Sequence, residues 1–286
     1  IILRGGRHEH YANYFPWLHI AKRKKLKIKV LKIDQNGFFD ISELETLAKL
    51  KGSKLLVLSH VLYNNGSIMP VEEAGKIAKE NDLLYCIDSA QSVGSINVDI
   101  KKIECDFMAF PSFKWICGPL GIGIFYCSEK SKDILVPDSI GGESGKIISD
   151  DSVVHNDIPQ KFETGFRNYP GLAGLESSLR YILRIGMSKI MSNNLKTSSI
   201  LRNELLKISG IDIHGIDDEK LRNSIVSFSS SKIESNLLKK KLEKEGIIMA
   251  ERDLLNGKKI VRASPHFFNN EEEIMKTIRI IKNILR

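Results

Sequence analysis

Two side chains of this chain can do covalent chemistry together, the carboxylate of Asp88 and the amine of Lys114. Asp88 ends the apolar run LLYCID, and Lys114 follows the apolar run DFMAF. Each is therefore expected at the carboxyl end of a parallel strand, where open α/β sheets bind their ligands. The apolar flanks of the lysine, Phe110, Phe113 and Trp115, favour a desolvated amine, and desolvation disfavours the charged form of lysine.

A Schiff-base amine and a carboxylate that keeps a pyridine nitrogen protonated are the two groups that pyridoxal 5'-phosphate (PLP) chemistry requires. The pair therefore indicates a PLP site with Lys114 as its catalytic residue. Taken singly, Asp88 fits a turn or helix cap, and Lys114 fits a surface lysine beside a glycine-rich turn. The motifs around the pair favour the functional interpretation.

Six sequence blocks accompany this pair along nearly the whole chain. They read HEHYANYFPW at 8–17, SHVLYNNGSIMPVEE at 59–73, DSAQSVG at 88–94, FKWICGPLGIG at 113–123, FETGFRNYPGLAGL at 162–175 and VRASPHFFNNEEEI at 261–274. In this order they resemble the class V aminotransferase family of PLP-dependent enzymes, which includes cysteine desulfurases, selenocysteine lyases and isopenicillin N epimerase-like proteins. The resemblance implies an α/β fold of the aspartate aminotransferase-like type (fold type I), with a large PLP-binding domain and a smaller C-terminal α+β domain. Family members carry a phosphate-binding segment ahead of the first block, so an N-terminal segment is expected to be missing from this chain.

The resemblance implies roles for individual residues. Lys114 would be the Schiff-base lysine, Asp88 would pair with the pyridine nitrogen, and Arg262 would grip the substrate carboxylate with its two-pronged guanidinium. The resemblance also implies other cofactor contacts. Tyr11 would stack on the ring, and Ser112 of the lysine block would contact the cofactor. Gln91 would lie at the phenolic oxygen, together with Tyr63 or Asn64.

The family resemblance assigns no catalytic role to the histidines in or near these blocks. His10 is expected to pack beside the cofactor, and His60 and His266 are interpreted as structural. No metal is expected, because His8, Glu9 and His10 cluster without a closing set of ligands.

Two departures from the family pattern bear on the reaction. The interval AERDLLNGKKIVR before Arg262 lacks the mobile cysteine that accepts sulfur in desulfurases, which disfavours a persulfide mechanism of the usual kind. Phe166 replaces a threonine that reaches the partner subunit's phosphate. Lyase, epimerase and transaminase outcomes on an α-amino acid all stay open. The alternative is a non-catalytic or truncated relative that serves as a structural or dimer partner.

Composition predicts a cytoplasmic enzyme. The 286 residues are 42% hydrophobic, without a signal peptide or an apolar run near the roughly 18 residues of a membrane span. Cys86, Cys105, Cys117 and Cys127 lack CxxC spacing and are expected to be buried, reduced thiols. The net charge of +8 comes from lysines interleaved with apolar residues, so no nucleic-acid partner is predicted. A homodimer is implied by the family resemblance.

The hydrophobic pattern predicts an alternation of strands and helices. Strands are predicted at 28–34, 55–61, 83–88 (LLYCID), 107–110 (FMAF) and 121–127. Helices are predicted at 40–50 and 71–81. Residues 137–160 are rich in Gly, Ser and Asp and predict a long loop over the site. The predicted domains are 1–170, the PLP-binding domain, and 171–286, the small domain.

Overall fold

Two β-sheets, each with its own helices, organise the computed structural model, which describes residues 1–5, 9–254 and 256–286. One hydrophobic core lies around the first sheet and a second core lies around the other.

The first sheet has six strands in the order β2-β1-β3-β4-β5-β6. Its strands are β1 (Ile2–Arg4), β2 (Lys29–Leu31), β3 (Leu55–Ser59), β4 (Leu84–Asp88), β5 (Phe107–Pro111) and β6 (Gly123–Cys127). The first five run parallel, and β6 runs antiparallel to β5. Because β4 and β5 are parallel neighbours, their carboxyl ends lie side by side at one edge of the sheet.

Four helices belong to this part of the chain: α1 (Tyr11–Lys24), α2 (Ile41–Ala48), α3 (Val71–Glu80) and α4 (Ile100–Ile103). Asp40 caps α2, because its carboxylate accepts a hydrogen bond from the Ser42 N–H at 2.8 Å. α3 buries Val71, Ala74 and Ile77, whose helical spacing forms one apolar face.

The segment predicted as a long loop contains a hairpin. Its strands are β7 (Gly145–Ser149) and β8 (Ser152–His155), which pair antiparallel around Asp150 and Asp151. The strand signal is a pair of β-branched runs, Ile147 with Ile148 and Val153 with Val154, and these side chains are exposed. The prediction of a long loop at 137–160 is therefore wrong for 145–155, where the β-branched pairs favour strands despite the Gly and Asp around them.

The second sheet has four antiparallel strands in the order β11-β12-β10-β9. They are β9 (Ile211–His214), β10 (Val226–Ser230), β11 (Ala250–Asp253) and β12 (Lys259–Ala263). The helices of this part are α5 (Tyr169–Ile185), α6 (Met187–Leu206), α7 (Ser235–Lys244) and α8 (Glu271–Ile284). α8 begins with a capping box between Asn270 and Glu273.

The proposed domain boundary at 170 falls at the second residue of α5 and stays a prediction. In the part of the chain that the structure describes, no helix has the length and apolar character needed to cross a membrane.

Candidate active site

Asp88 and Lys114 meet at the edge where β4 and β5 end. Asp88 is the last residue of β4, and Lys114 follows the end of β5 after a short turn. Both side chains line one cavity of about 530 Å³, here called the ring cavity, whose other walls include His10, Phe110 and Phe125. The expectation that this carboxylate and this amine converge on one cleft is confirmed.

Burial shifts the pKa of both groups toward the neutral form. Burial raises the pKa of Asp88. Two weaker effects lower it: the Ala90 N–H donates to Oδ1 at 2.9 Å, and Lys114 carries a positive charge nearby. Burial likewise lowers the pKa of Lys114, although the negative charge of Asp88 opposes it. The charges of Arg262 and Arg252 lower it further. The site therefore favours an amine that can act as a nucleophile or a base.

His10 lies against the ring cavity, whereas Tyr11 does not. Tyr11 is 49% exposed and stacks on Phe15, with ring centroids 4.8 Å apart. The Nδ1 atom of His10 accepts a hydrogen bond from the Ala12 N–H at 3.2 Å and so caps α1. This cap turns the side chain of residue 10 toward the cavity and sends residue 11 out along the helix. His10 is therefore the aromatic residue of this segment at the cavity wall, and the stacking role of Tyr11 stays a prediction.

The protonation of His10 is also set by the site. Its pKa is lowered, chiefly by burial and then by the charges of Lys114, Arg252 and Arg262. Its ring meets the Tyr63 ring edge-on at 5.1 Å between centroids. His10 is thus held as a neutral imidazole at the cavity wall.

Glu9, the residue before His10, forms a buried ion pair with Arg4. The Nε atom of Arg4 donates to Oε1 of Glu9 at 2.7 Å, and the two side chains are 0% and 2% exposed. Oε2 of Glu9 accepts hydrogen bonds from the Ser59 hydroxyl at 2.5 Å and from Asn13 at 3.0 Å. Although burial raises the pKa of Glu9, the Arg4 charge and these hydrogen bonds lower it overall. This pair links β1 and β3 to the start of α1, a contact that residue types alone did not indicate.

A second cavity of about 610 Å³, here called the arginine cavity, opens on the other side of Lys114. Its polar lining includes Gln91, Arg252, Arg262 and His266, and no described residue of the lining is Asp or Glu. Lys114 lines both cavities and therefore stands between them.

Arg262 points into the arginine cavity from β12. Its Nη1 atom donates to the Tyr63 carbonyl at 2.6 Å. Burial lowers its pKa to about 10, and the charge of Arg252 contributes to that shift. Arg252, on the adjacent strand β11, was missed by the sequence reasoning. The available signal was the order Glu-Arg-Asp in a short strand, because alternation places the arginine on the face opposite to the two acids.

Gln91, Trp115, His266 and Phe268 form a connected wall of this cavity. The Trp115 ring stacks on the His266 ring at 4.9 Å, and the Phe268 ring stacks on His266 at 4.5 Å. Burial lowers the pKa of His266 to about 4, although the nearby backbone of Lys114 and Trp115 opposes that shift. The stack of His266 on Trp115 therefore holds the segment after Lys114 against the loop after β12.

Cys117 lies at the rim of the same wall. Its Sγ atom is 3.8 Å from Nε2 of His266, and burial raises the pKa of its thiol. The expectation that all four cysteines are buried holds only for Cys105: Cys86 and Cys127 are half-buried, and Cys117 is exposed on a left-handed backbone (φ 54°). The thiolate form needed for reactivity is nevertheless disfavoured.

Besides Tyr11, three further predicted cofactor contacts lie outside the described linings of both cavities. The Ser112 hydroxyl is fully buried and donates to the Pro119 carbonyl, a bond that closes the turn after β5, and its predicted contact with the cofactor stays a prediction. Asn64 is buried, with its amide donating to the Asp253 carbonyl at 3.3 Å, and Tyr63 presents its carbonyl to Arg262. The roles predicted for Tyr63 and Asn64 at the phenolic oxygen stay predictions.

The described residues contain no group of three His, Cys, Asp or Glu side chains arranged to hold a metal ion. His8, part of the cluster weighed above, lies outside the described residues.

The fold and this pair of cavities define the class of protein. The sequence matches the aminotransferase class-V family over residues 5–277. It is similar to the probable cysteine desulfurase of Methanothermobacter thermautotrophicus, at 33% identity across 93% of this chain and 68% of that protein. The probable cysteine desulfurase of Pyrococcus abyssi is 31% identical across 98% of this chain and 71% of that protein. The apo structure of the cysteine desulfurase from Thermococcus onnurineus NA1 superimposes with a TM-score of 0.93 at 30% identity, covering 99% of this chain and 72% of that chain.

This chain belongs to the aminotransferase class-V family. The family resemblance and the type I fold expected from the sequence blocks are both confirmed.

Proposed function

We propose that this chain is a PLP-dependent carbon–sulfur lyase that acts on a cysteine-like α-amino acid. The observation that carries the proposal is the position of Lys114, whose side chain lines the ring cavity and the arginine cavity at once. A lysine in that place can hold a cofactor on one side and face its substrate on the other.

The residues of the ring cavity fit pyridoxal 5'-phosphate, which is the cofactor of this enzyme. A volume of about 530 Å³ lies within the range of small-molecule sites. Asp88 is a buried carboxylate whose pKa burial raises, and a protonated pyridine nitrogen would supply the positive partner that favours its ionised form. When bound, the cofactor supplies a ring that accepts negative charge from the substrate's Cα.

The chain's own residues divide the remaining work. Arg262 would bind the substrate carboxylate from the arginine cavity. Lys114, with its lowered pKa, would take the proton from Cα. Gln91 accepts a hydrogen bond from Trp115 through Oε1, so its amide hydrogens are the atoms available to an oxygen acceptor. His10 would cover one face of the ring.

The reaction type rests on the relatives and on one missing residue. The curated relatives described above are probable cysteine desulfurases, which favours chemistry at a carbon–sulfur bond. The 250–262 interval of this chain has no cysteine to accept sulfur. We therefore favour β-elimination: the Cα proton leaves, the Cβ–S bond breaks with its electron pair on sulfur, and the sulfur departs as a thiol or sulfide. Pyruvate and ammonia are the products expected after hydrolysis.

The test combines covalent trapping with product analysis. Borohydride reduction of the PLP-loaded protein, followed by peptide mass spectrometry, should place the cofactor on Lys114, and the Lys114→Ala variant should carry none. Lys102→Ala, which removes an exposed lysine of α4, serves as the control and should be labelled like the parent. Cofactor on another lysine, or on none, contradicts the proposal; the second result favours a non-catalytic relative.

The products from L-cysteine then decide the reaction. Pyruvate with sulfide supports the lyase. Alanine with protein-bound sulfur indicates desulfuration, D-cysteine indicates epimerisation, and a keto acid with aminated cofactor indicates transamination; each of these contradicts it.

We further propose a homodimer, as the family resemblance implies. The fully exposed Phe166 and the exposed apolar side chains of the β7–β8 hairpin support an unfilled contact surface. The cytoplasmic location stays a prediction.

A further inference from the structure

We propose that the substrate carries a second anionic group and that Arg252 binds it. The inference rests on the proposed function, because it assigns the substrate class of the same site. The class is an α-amino acid with a further carboxylate, such as an S-substituted cysteine whose sulfur substituent ends in a carboxylate.

The strand register places two guanidinium groups on one face of the small-domain sheet. Ala250 of β11 pairs with Arg262 of β12, and Arg252 pairs with Ile260. Arg252 and Arg262 are therefore diagonal neighbours on the same face, and such positions lie roughly 7–8 Å apart in an antiparallel pair. Both side chains line the arginine cavity. This separation provides two binding points for anions on one ligand.

The acidic neighbours of Arg252 point to the other face of β11. Glu251 and Asp253 lie on either side of it in the strand, and both pair with Lys259, at 3.8 Å and 2.6 Å. Arg252 instead donates from Nη1 to the Glu251 carbonyl at 2.6 Å, and no ion pair of Arg252 occurs among the described residues. The sequence ERD thus places its arginine and its two acids on opposite faces.

No carboxylate of the described lining balances the two guanidinium groups of the arginine cavity. Arg262, Arg252 and Lys114 line it together, and its described lining holds no carboxylate. The buried Nε atom of Arg262 also has no hydrogen-bond partner among the described residues. Arg252 lowers the pKa of both Arg262 and Lys114, which means that the like charges destabilise one another.

One α-carboxylate compensates one positive charge. With Lys114 in its neutral form, the second guanidinium is left without an anion. A second carboxylate on the substrate would satisfy it through charge-assisted hydrogen bonds, which are stronger than neutral ones. A ligand with two carboxylates is therefore expected to bind more tightly than a matched ligand with one.

The experiment compares glutarate with pentanoate, a diacid and a monoacid of the same chain length. Their binding to the PLP-loaded protein is measured by titration calorimetry. We expect glutarate to bind at least about tenfold more tightly than pentanoate. Arg252→Gln should abolish that preference and leave pentanoate affinity within about twofold, whereas Arg262→Gln should weaken both ligands.

The control variant is Arg180→Gln, which removes one positive charge at an exposed i,i+4 pair on α5. It should bind both acids like the parent, which separates a local contact from a change in net charge. Equal weakening of both acids by Arg252→Gln would show that the two arginines share one carboxylate and would overturn the proposal. An unchanged preference in Arg252→Gln would overturn it as well.

The same titrations on the cofactor-free protein separate this inference from the proposed function. A glutarate preference that depends on Arg252, in a protein whose Lys114 never links to the cofactor, supports the second anion site and refutes the lyase. A cofactor trapped on Lys114 without any glutarate preference supports the proposed cofactor site and refutes the second anion site.

Discussion

The indole Nε1 of Trp115 donates a hydrogen bond of 2.8 Å to the side-chain Oε1 of Gln91. Trp115 is the residue after Lys114, and Gln91 belongs to the turn after β4, so the bond ties together the two segments that end at the site. It also fixes the amide orientation of Gln91, because an oxygen that accepts from the indole leaves the NH2 group as the donor toward the site.

Trp115→Phe tests this orientation. Phenylalanine keeps an aromatic ring for the stack on His266 but lacks the N–H, so Gln91 loses the bond that sets its amide. We expect cofactor affinity to fall by up to about tenfold, since one hydrogen bond contributes about 0.5–1.5 kcal/mol. The measurement is a PLP titration followed by visible absorption. Trp17→Phe, in α1, is the matched control; an equal loss in both variants would argue against the orientation of Gln91 as the cause.

Asp88→Asn tests the carboxylate of the ring cavity. Asparagine can still accept the hydrogen bond from the Ala90 N–H, so the end of β4 should keep its shape. It cannot carry the negative charge that stabilises a protonated pyridine nitrogen. We expect the cofactor to remain linked to Lys114 while turnover falls about a hundredfold or more. Steady-state product formation beside borohydride trapping measures both properties.

Asp82→Asn is the control for this substitution, since Asp82 is exposed and lies before β4, away from both cavities. Near-parental turnover in Asp88→Asn would remove the carboxylate from the proposed chemistry.

Gly94→Ala tests the packing under the lysine segment. Gly94 has φ +86°, and an added Cβ would lie 2.7 Å from the backbone carbon of Trp115. We expect both backbone strain and a clash that displaces Lys114, with an unfolding free energy lower by about 3 kcal/mol and weaker cofactor binding. Gly52→Ala separates the two effects, because Gly52 has φ +93° with nothing within 4 Å of its added Cβ.

The Gly52 variant should lose only about 1 kcal/mol, measured by urea denaturation of both variants beside the parent. Equal losses would mean that backbone conformation alone, without the contact to Trp115, explains the effect at Gly94.

His60 gives the fold a pH dependence. Burial lowers its pKa from 6.5 to about 4, so between those values the unfolded chain binds a proton that the folded chain excludes. The stability contribution is complete above the unfolded pKa and is lost as the pH falls from about 6.5 toward 4. At about pH 5 the loss should reach about 2 kcal/mol. Urea denaturation at about pH 8 and about pH 5 measures it.

His60→Asn should flatten this dependence by about that amount, while His19→Asn, which removes an exposed histidine, should retain it. A parental acid loss in His60→Asn would assign the effect to other groups.

Much of the site could be predicted from the chain because its parts are local. Apolar runs that end in Asp88 and precede Lys114 predict strands, and parallel strands place their carboxyl ends at one edge, which the register of β4 and β5 confirms. The hairpin at 145–155 was missed because Gly and Asp around it obscured two short β-branched runs.

By itself, the sequence determined the class of the protein, the strand ends that carry the carboxylate and the amine, and the family blocks around them. Only the tertiary structure decided that His10 rather than Tyr11 faces the ring cavity, since the cap of α1 sets which neighbour turns inward. It alone brought Arg252 beside Arg262, because their approach depends on the pairing of β11 with β12 and on the docking of that sheet near Lys114. Local pattern fixes which face a residue takes within its own element, whereas contacts between distant segments depend on how the elements pack.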